Sequence, residues 1–129
     1  MLAACATPAQ RIDVTAERLG MTKGLVEGLN FRHVTYAKPH STTKTLHIYL
    51  DGDGSRYIAN DPTPRNPLVL GLASLDTEAD VVYLGRPCYL GLHDEPMCNK
   101  NLWTSARYGD AVVRSMAAAA QALIQERGA

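Results

Sequence analysis

The stretch Thr45-Leu46-His47-Ile48-Tyr49-Leu50-Asp51-Gly52-Asp53-Gly54-Ser55 decides how this chain is read. Its first six residues are mostly apolar and β-favouring, as in a strand covered on both faces. They run directly into Asp51-Gly52-Asp53-Gly54-Ser55. Two glycines let the backbone turn sharply at the carboxyl edge of a sheet, where α/β sites form, and let a substrate approach the amides closely. Backbone N–H groups aimed at such a point stabilise an oxyanion, and one donor is worth about 10²–10³ in rate.

Three rival readings compete for the same loop. In an EF-hand, Asp51, Asp53 and Ser55 fit the first ligand positions. Arg56 then stands where glycine is required, and Pro62 where the bidentate glutamate belongs. A dinucleotide fingerprint needs a third glycine at Tyr57 and a helix opening there, and neither is present. The remaining rival is a plain structural turn.

Working outward, Asn60 to Pro67 holds three prolines and reads as loop. Leu68 to Leu75 reads as a short helix and Asp80 to Leu84 as a second buried strand. Gly85 to Thr104 is irregular. From Asp110, Val113, Met116, Ala120, Leu123 and Ile124 recur at helical spacing, with Gly109-Asp110 suited to the start and Arg127-Gly128 to the end. Upstream, residues 6–12 read as a tether, and Asp13 to Gly20 as a brief helix capped by Asp13. Leu25 to Leu29 and Phe31 to Ala37 are strands. The second alternates, with Phe31, His33, Thr35 and Ala37 opposite Arg32, Val34, Tyr36 and Lys38. Strands alternating with helices predict an α/β domain over 13–129, its sheet mainly parallel, flanked by helices and preceded by short N-terminal strands.

The 129 residues carry 13 basic and 13 acidic side chains and no basic block, which removes the electrostatic footprint of a nucleic-acid binder. No apolar run is long enough to span a bilayer. Leu2-Ala3-Ala4-Cys5 has the residue pattern of a lipoprotein cleavage box, although the charged and long apolar regions expected before it are missing. Cys5 is therefore the candidate lipidation site, residues 1–12 a lipobox remnant and tether, and the bacterial cell envelope the expected location. Cys88 and Cys98 form an even pair in an irregular segment, which in an oxidising compartment reads as a disulfide. Metal ligation and inert buried thiols are the alternatives, and for a metal only His93 lies between the two.

The run Leu46 to Gly54, then Asp61-Pro62-Thr63-Pro64-Arg65-Asn66-Pro67, then Tyr83-Leu84-Gly85-Arg86-Pro87-Cys88, then Cys98 and Leu102-Trp103-Thr104-Ser105-Ala106-Arg107, resembles a family of bacterial α/β-hydrolase-fold proteins, often lipoproteins. The resemblance covers most of residues 25–127. It implies a strand, an oxyanion loop, a helix, a strand, a cysteine-bridged loop and the helix preceding the nucleophile strand. In that family Gly-x-Ser-x-Gly follows next, with an acidic residue and a histidine later. None of the 129 residues forms that elbow: Ser55, Ser105 and Ser115 all lack its spacing.

The resemblance thus makes the chain the front part of a serine hydrolase that cleaves an ester or acyl bond. Gly52, Asp53, Gly54 and Ser55 supply the oxyanion-side loop, with the Gly54 or Ser55 N–H as donor. A truncation, or a split or frameshifted gene, accounts for the missing elbow, and the chain alone is expected to be inactive. No cofactor or metal is expected. The partners implied are a small ester or acyl substrate in the complete protein, a lipid anchor at Cys5, and further copies of the fragment through its open sheet edge. The alternative is a non-catalytic envelope module that binds a ligand or partner on the same scaffold. Among other polar residues, His47 reads as a core histidine with a satisfied ring. Arg65 and Arg86 read as loop ties to carbonyls or to Asp51 and Asp53, and Trp103 as the anchor of the cysteine loop.

Overall fold

A computed structural model describes residues 6–40, 42–52, 54 and 61–129. The first helix, α1 (Pro8–Arg18), starts earlier than Asp13. Its signal is a capping box at Thr7: the Gln10 N–H donates to Thr7 Oγ1 (3.2 Å), and the Thr7 N–H donates to Gln10 Oε1 (2.9 Å). Pro8 adds a pre-set first helical residue. Most of the stretch expected as a tether is thus helix, and Ala9, Ile12 and Ala16 bury one side of it. Asp13 caps nothing; it pairs with Lys23 (3.0 Å) and accepts the Tyr36 hydroxyl.

Strands β1 (Thr22–Glu27) and β2 (Arg32–Ala37) are joined by a tight turn. There the Gly28 N–H donates to the Phe31 carbonyl (2.8 Å), and Asn30 takes a left-handed φ of 69°. Asparagine tolerates that conformation. So short a connection forces antiparallel pairing, with Leu25 opposite Val34. Strand β3 (Leu46–Leu50) and strand β4 (Asp80–Leu84) are separated by helix α2 (Leu68–Leu75) and run parallel, with Ile48 opposite Val82. Strand β2 pairs antiparallel with β4, Tyr36 opposite Tyr83.

The order is β1-β2-β4-β3, an α/β arrangement on a mixed sheet. The expectation of a mainly parallel sheet is corrected here. Among the described residues only the pair bridged by a crossover helix runs parallel, because the ribbon that precedes it reverses direction at its turn.

Helices cover both faces. Val81 and Tyr83 of β4 pack with Ile12, Ala16, Leu70 and Ala73, so α1 and α2 share one face. Val82 and Leu84 pack with Ala119 and Leu123 of α3 (Asp110–Arg127) on the other. Central position explains why β2 buries both sides of its alternation, His33 and Thr35 as well as Val34 and Tyr36. Strand β3 lies at the open edge of the sheet, and its expected cover on both faces is incomplete, since Leu50 is 54% exposed.

Helix α3 has the expected ends, Gly109 as N-cap and Gly128 left-handed at its close. Its buried side is turned by one position, to Val112, Ser115, Ala119 and Leu123, and Val113 faces water. Small residues at 115 and 119 let the helix lie close to the sheet. A side chain on Gly28 would come within 2.3 Å of Ser115 Oγ.

Candidate functional site

The carboxyl ends of β3 and β4 sit side by side, Leu50 opposite Leu84. The predicted loop leaves the sheet there. The Asp51 carboxylate accepts the Tyr83 hydroxyl (2.7 Å), which ties the start of the loop to the neighbouring strand. Burial, and next the Asp51 charge, raise the Tyr83 hydroxyl above its ordinary titration range. That phenol stays protonated and keeps donating. The Gly52 N–H donates to Asp51 Oδ1 (2.8 Å), so this amide is engaged within the loop.

Gly54 has a φ of +64°, and a Cβ there would lie 2.1 Å from the Pro62 carbonyl oxygen. Conformation and space both demand glycine at 54. Asp53 and Ser55, the other residues assigned to the oxyanion loop, lie outside the described residues.

The wall facing Gly54 is rigid for identifiable reasons. Asp61 accepts the Thr63 N–H (3.0 Å) through one carboxylate oxygen and the Ala9 N–H (3.2 Å) through the other. Thr63 Oγ1 in turn accepts the Leu90 N–H (2.9 Å). Asp61 and Thr63 are buried, so the proline-rich loop is pinned to α1 and to the cysteine loop. Between this wall and β3 opens a cleft of about 330 Å³, lined by Asp51, Gly54, Pro64, Arg65, Asn66 and Leu68. Loop glycine, exposed arginine and apolar floor therefore meet at one sheet edge.

The loop after β4 completes the surround. Cys88 and Cys98 are bridged, with 5.7 Å between their Cα atoms. Trp103 is buried in the same core cluster as Cys88, Tyr89 and Leu90, and its Nε1 has no acceptor among the described residues. Arg86 donates to the Arg107 carbonyl, and its guanidinium lies 5.6 Å from the Tyr89 ring centroid and 5.1 Å from that of Tyr108. Arg86 thus ties loops together as expected. Arg65 is exposed and lines the cleft.

Two histidine pairs were not legible beforehand. His33 Nδ1 donates to the Gly85 carbonyl (2.8 Å), which leaves Nε2 to accept the Ser115 hydroxyl (2.7 Å). This is nucleophile–base geometry, yet both side chains are completely buried, and Gly28 covers them. No substrate reaches the pair, so it is a pin between sheet and α3. Burial, opposed by the Gly85 bond, lowers the His33 titration below its ordinary value.

His47, expected in the core, is 43% exposed. Its edge-strand position leaves its ring at the surface, 2.5 Å from Asp76 Oδ2. Asp76 also accepts the Tyr49 hydroxyl (2.6 Å). The Tyr49 and His47 bonds, in that order, hold the Asp76 carboxyl down to about 2. This cluster lies towards the amino ends of β3 and β4, away from the cleft.

Among the described residues no three of His, Cys, Asp and Glu converge as metal ligands. Among them, too, no helix is long and apolar enough to cross a membrane. No protein-family model, no curated protein and no solved structure matches this chain.

Proposed function

We propose that the chain is the oxyanion-side part of a serine hydrolase acting on an ester or similar acyl bond, with the reacting carbonyl at Gly54 and the nucleophile supplied by a strand docked on β3. The observation that carries this reading is the placement of α2 and α3 on opposite faces of one sheet. Crossovers between parallel strands are right-handed. Through α2 the chain moves from β3 to β4. A crossover of the same hand through α3, on the other face, moves back across the sheet.

The position beyond β4 in that direction is filled by β3, so among the described residues the first open place is the outer edge of β3. Helix α3 also delivers its end to the right level. Arg127 binds Asp80 at the start of β4 (2.9 and 3.0 Å), and Asp80 is opposite Leu46, the first residue of β3. A parallel strand added there makes β3 the point where strand order reverses. The crevice at such a point, outside the carboxyl ends, is where open α/β sheets bind ligands. The loop with Gly52 and Gly54 stands in it.

In the reaction, the nucleophile on the added strand attacks the carbonyl, and loop amides take the developing negative charge. Within these 129 residues the accessible half is the oxyanion side, since His33 and Ser115 are sealed. Cys5, outside the described residues, is proposed as a lipid attachment point that places the protein at a cell envelope. The coding DNA beyond codon 129 tests the proposal. The expected result is one strand followed by Gly-x-Ser-x-Gly, in any frame. Sequence there with no such elbow removes the hydrolase reading and favours a binding module.

A further inference from the structure

Helix α2 leaves an apolar side in water. Leu68, Leu72 and Leu75, spaced four and three apart, are 61%, 51% and 77% exposed. With Leu19 and Pro67 they wall an apolar cleft of about 390 Å³. This cleft adjoins the one at the oxyanion loop, because Asn66 and Leu68 line both. The Ser74 hydroxyl in its lining is occupied, donating to the Gly71 carbonyl (2.7 Å). Among the described residues no charged side chain lines the cleft.

Gly71 is the second observation. It sits in mid-helix and lines the cleft, and a Cβ there would meet nothing within 4 Å. Packing does not require glycine at 71, and its backbone is helical, so conformation does not require it either. Glycine nevertheless weakens a helix relative to alanine. An open groove floor accounts for it, because a side chain at 71 stands in the groove.

We infer that this groove takes the aliphatic acyl chain of a fatty-acyl ester, extended from the reacting carbonyl at Gly54 along α2 towards Leu75 and Leu19. The inference rests on the hydrolase reading and names its substrate class. A lining that is mainly apolar, with no cation among the described residues, matches a hydrocarbon chain better than an anionic group. Helix α2 spans roughly 12 Å, the reach of a chain of about eight to ten carbons.

The test is methyl-detected NMR of the 129-residue chain titrated with methyl octanoate and, separately, methyl acetate. Methyl octanoate is expected to shift the methyls of Leu68, Leu72 and Leu75 together with the Gly54 amide. Each methylene added between the two esters should tighten binding about twofold, because one side of the chain stays in water. Gly71→Leu should weaken methyl octanoate at least tenfold without lowering the melting temperature, since leucine favours helix.

Gly54 shifts from both esters with the leucine methyls unmoved would overturn the groove and leave the hydrolase reading standing. Leucine shifts with Gly54 unmoved would cut the groove off from the loop and overturn the inference, leaving the hydrolase reading to the coding sequence. Leucine methyls that respond only to phosphatidylcholine vesicles, or only to rising protein concentration, would assign the patch to a membrane or a second copy and overturn the inference.

Discussion

The two ends of the parallel pair β3–β4 are built on opposite plans. At the amino end, charges and hydroxyls close on one another. Asp80 takes Arg127 in a two-pronged grip and is joined by His40 (3.0 Å), while Asp76 takes His47 and Tyr49. Lys38 Nζ donates to the Asp76 carbonyl (2.5 Å). At the carboxyl end, glycine, proline and leucine leave a cleft. The difference follows from the fold. Parallel strands bring all their carboxyl ends to one edge, so one edge is free for a ligand and the other is free to be bolted.

The bolt is where a single change should cost most. Asp80→Asn strands the Arg127 guanidinium, which is 17% exposed, beside a side chain that is 3% exposed. Breaking a shielded pair by removing one partner costs about 4 kcal/mol. Urea unfolding should show that loss; a change within error would mean that the amino end holds nothing together.

The cysteine bridge comes next. It closes a short loop with 10 residues of sequence separation. The double variant Cys88→Ser, Cys98→Ser should lose about 3 kcal/mol on the chain-entropy account, read from the same urea curves. Substitution without loss would show that Trp103 and the Asp61–Thr63 ties suffice to hold the loop.

At the open end the predicted effect is smaller but more local. Gly54→Ala forces a left-handed alanine and a contact with the Pro62 carbonyl, and should cost about 2 kcal/mol. Amide shifts should be confined to 50–68. Shifts spread along the sheet would mean that the carboxyl edge is part of the bolt after all.

The gentlest probe is acid. His33 titrates below 6.5 in the folded chain, so the unfolded chain takes the proton first. Stability that is full above about pH 6.5 should decline as pH falls towards the folded value. Asp76 is held to about 2 against an ordinary 3.8, so its contribution is present above about pH 4 and lost on the way to 2. The upper step should vanish in His33→Gln and the lower in Asp76→Asn. A melting temperature flat from pH 7 to pH 5 would contradict the sealed, neutral His33.

Much of this comparison was legible in the sequence and some was not. Helix α2, strand β4 and helix α3 lie within the bounds their apolar patterns mark, because runs flanked by prolines, glycines and acidic residues have few alternatives. The sheet order was not legible. Alternation says which side of a strand is buried but not which strand lies beside it, so the antiparallel pairing of β2 with β4 is not foreseeable. His33 and Ser115 are 82 positions apart, and neither has a local signature. Only packing α3 against Gly28 brings them together.

The Gly54 requirement was foreseeable from a glycine-paired loop; the capture of the Gly52 amide by Asp51 depends on a rotamer and was not. The α1 boundary was missed for a simpler reason. Thr7-Pro8-Ala9-Gln10 is a capping box, and Asp13 only looks like a cap when that box is overlooked.

The most direct test of the central claim is labelling by a fluorophosphonate, followed by mass spectrometry of the modified peptide. The 129-residue chain should not react, because none of its serines stands in a Gly-x-Ser-x-Gly elbow and Ser115 is sealed. The chain extended through the codons that follow 129 should react at one serine, in a Gly-x-Ser-x-Gly segment. Stoichiometric labelling of any serine within residues 1–129, or an extended and folded chain that stays unlabelled, would contradict the account.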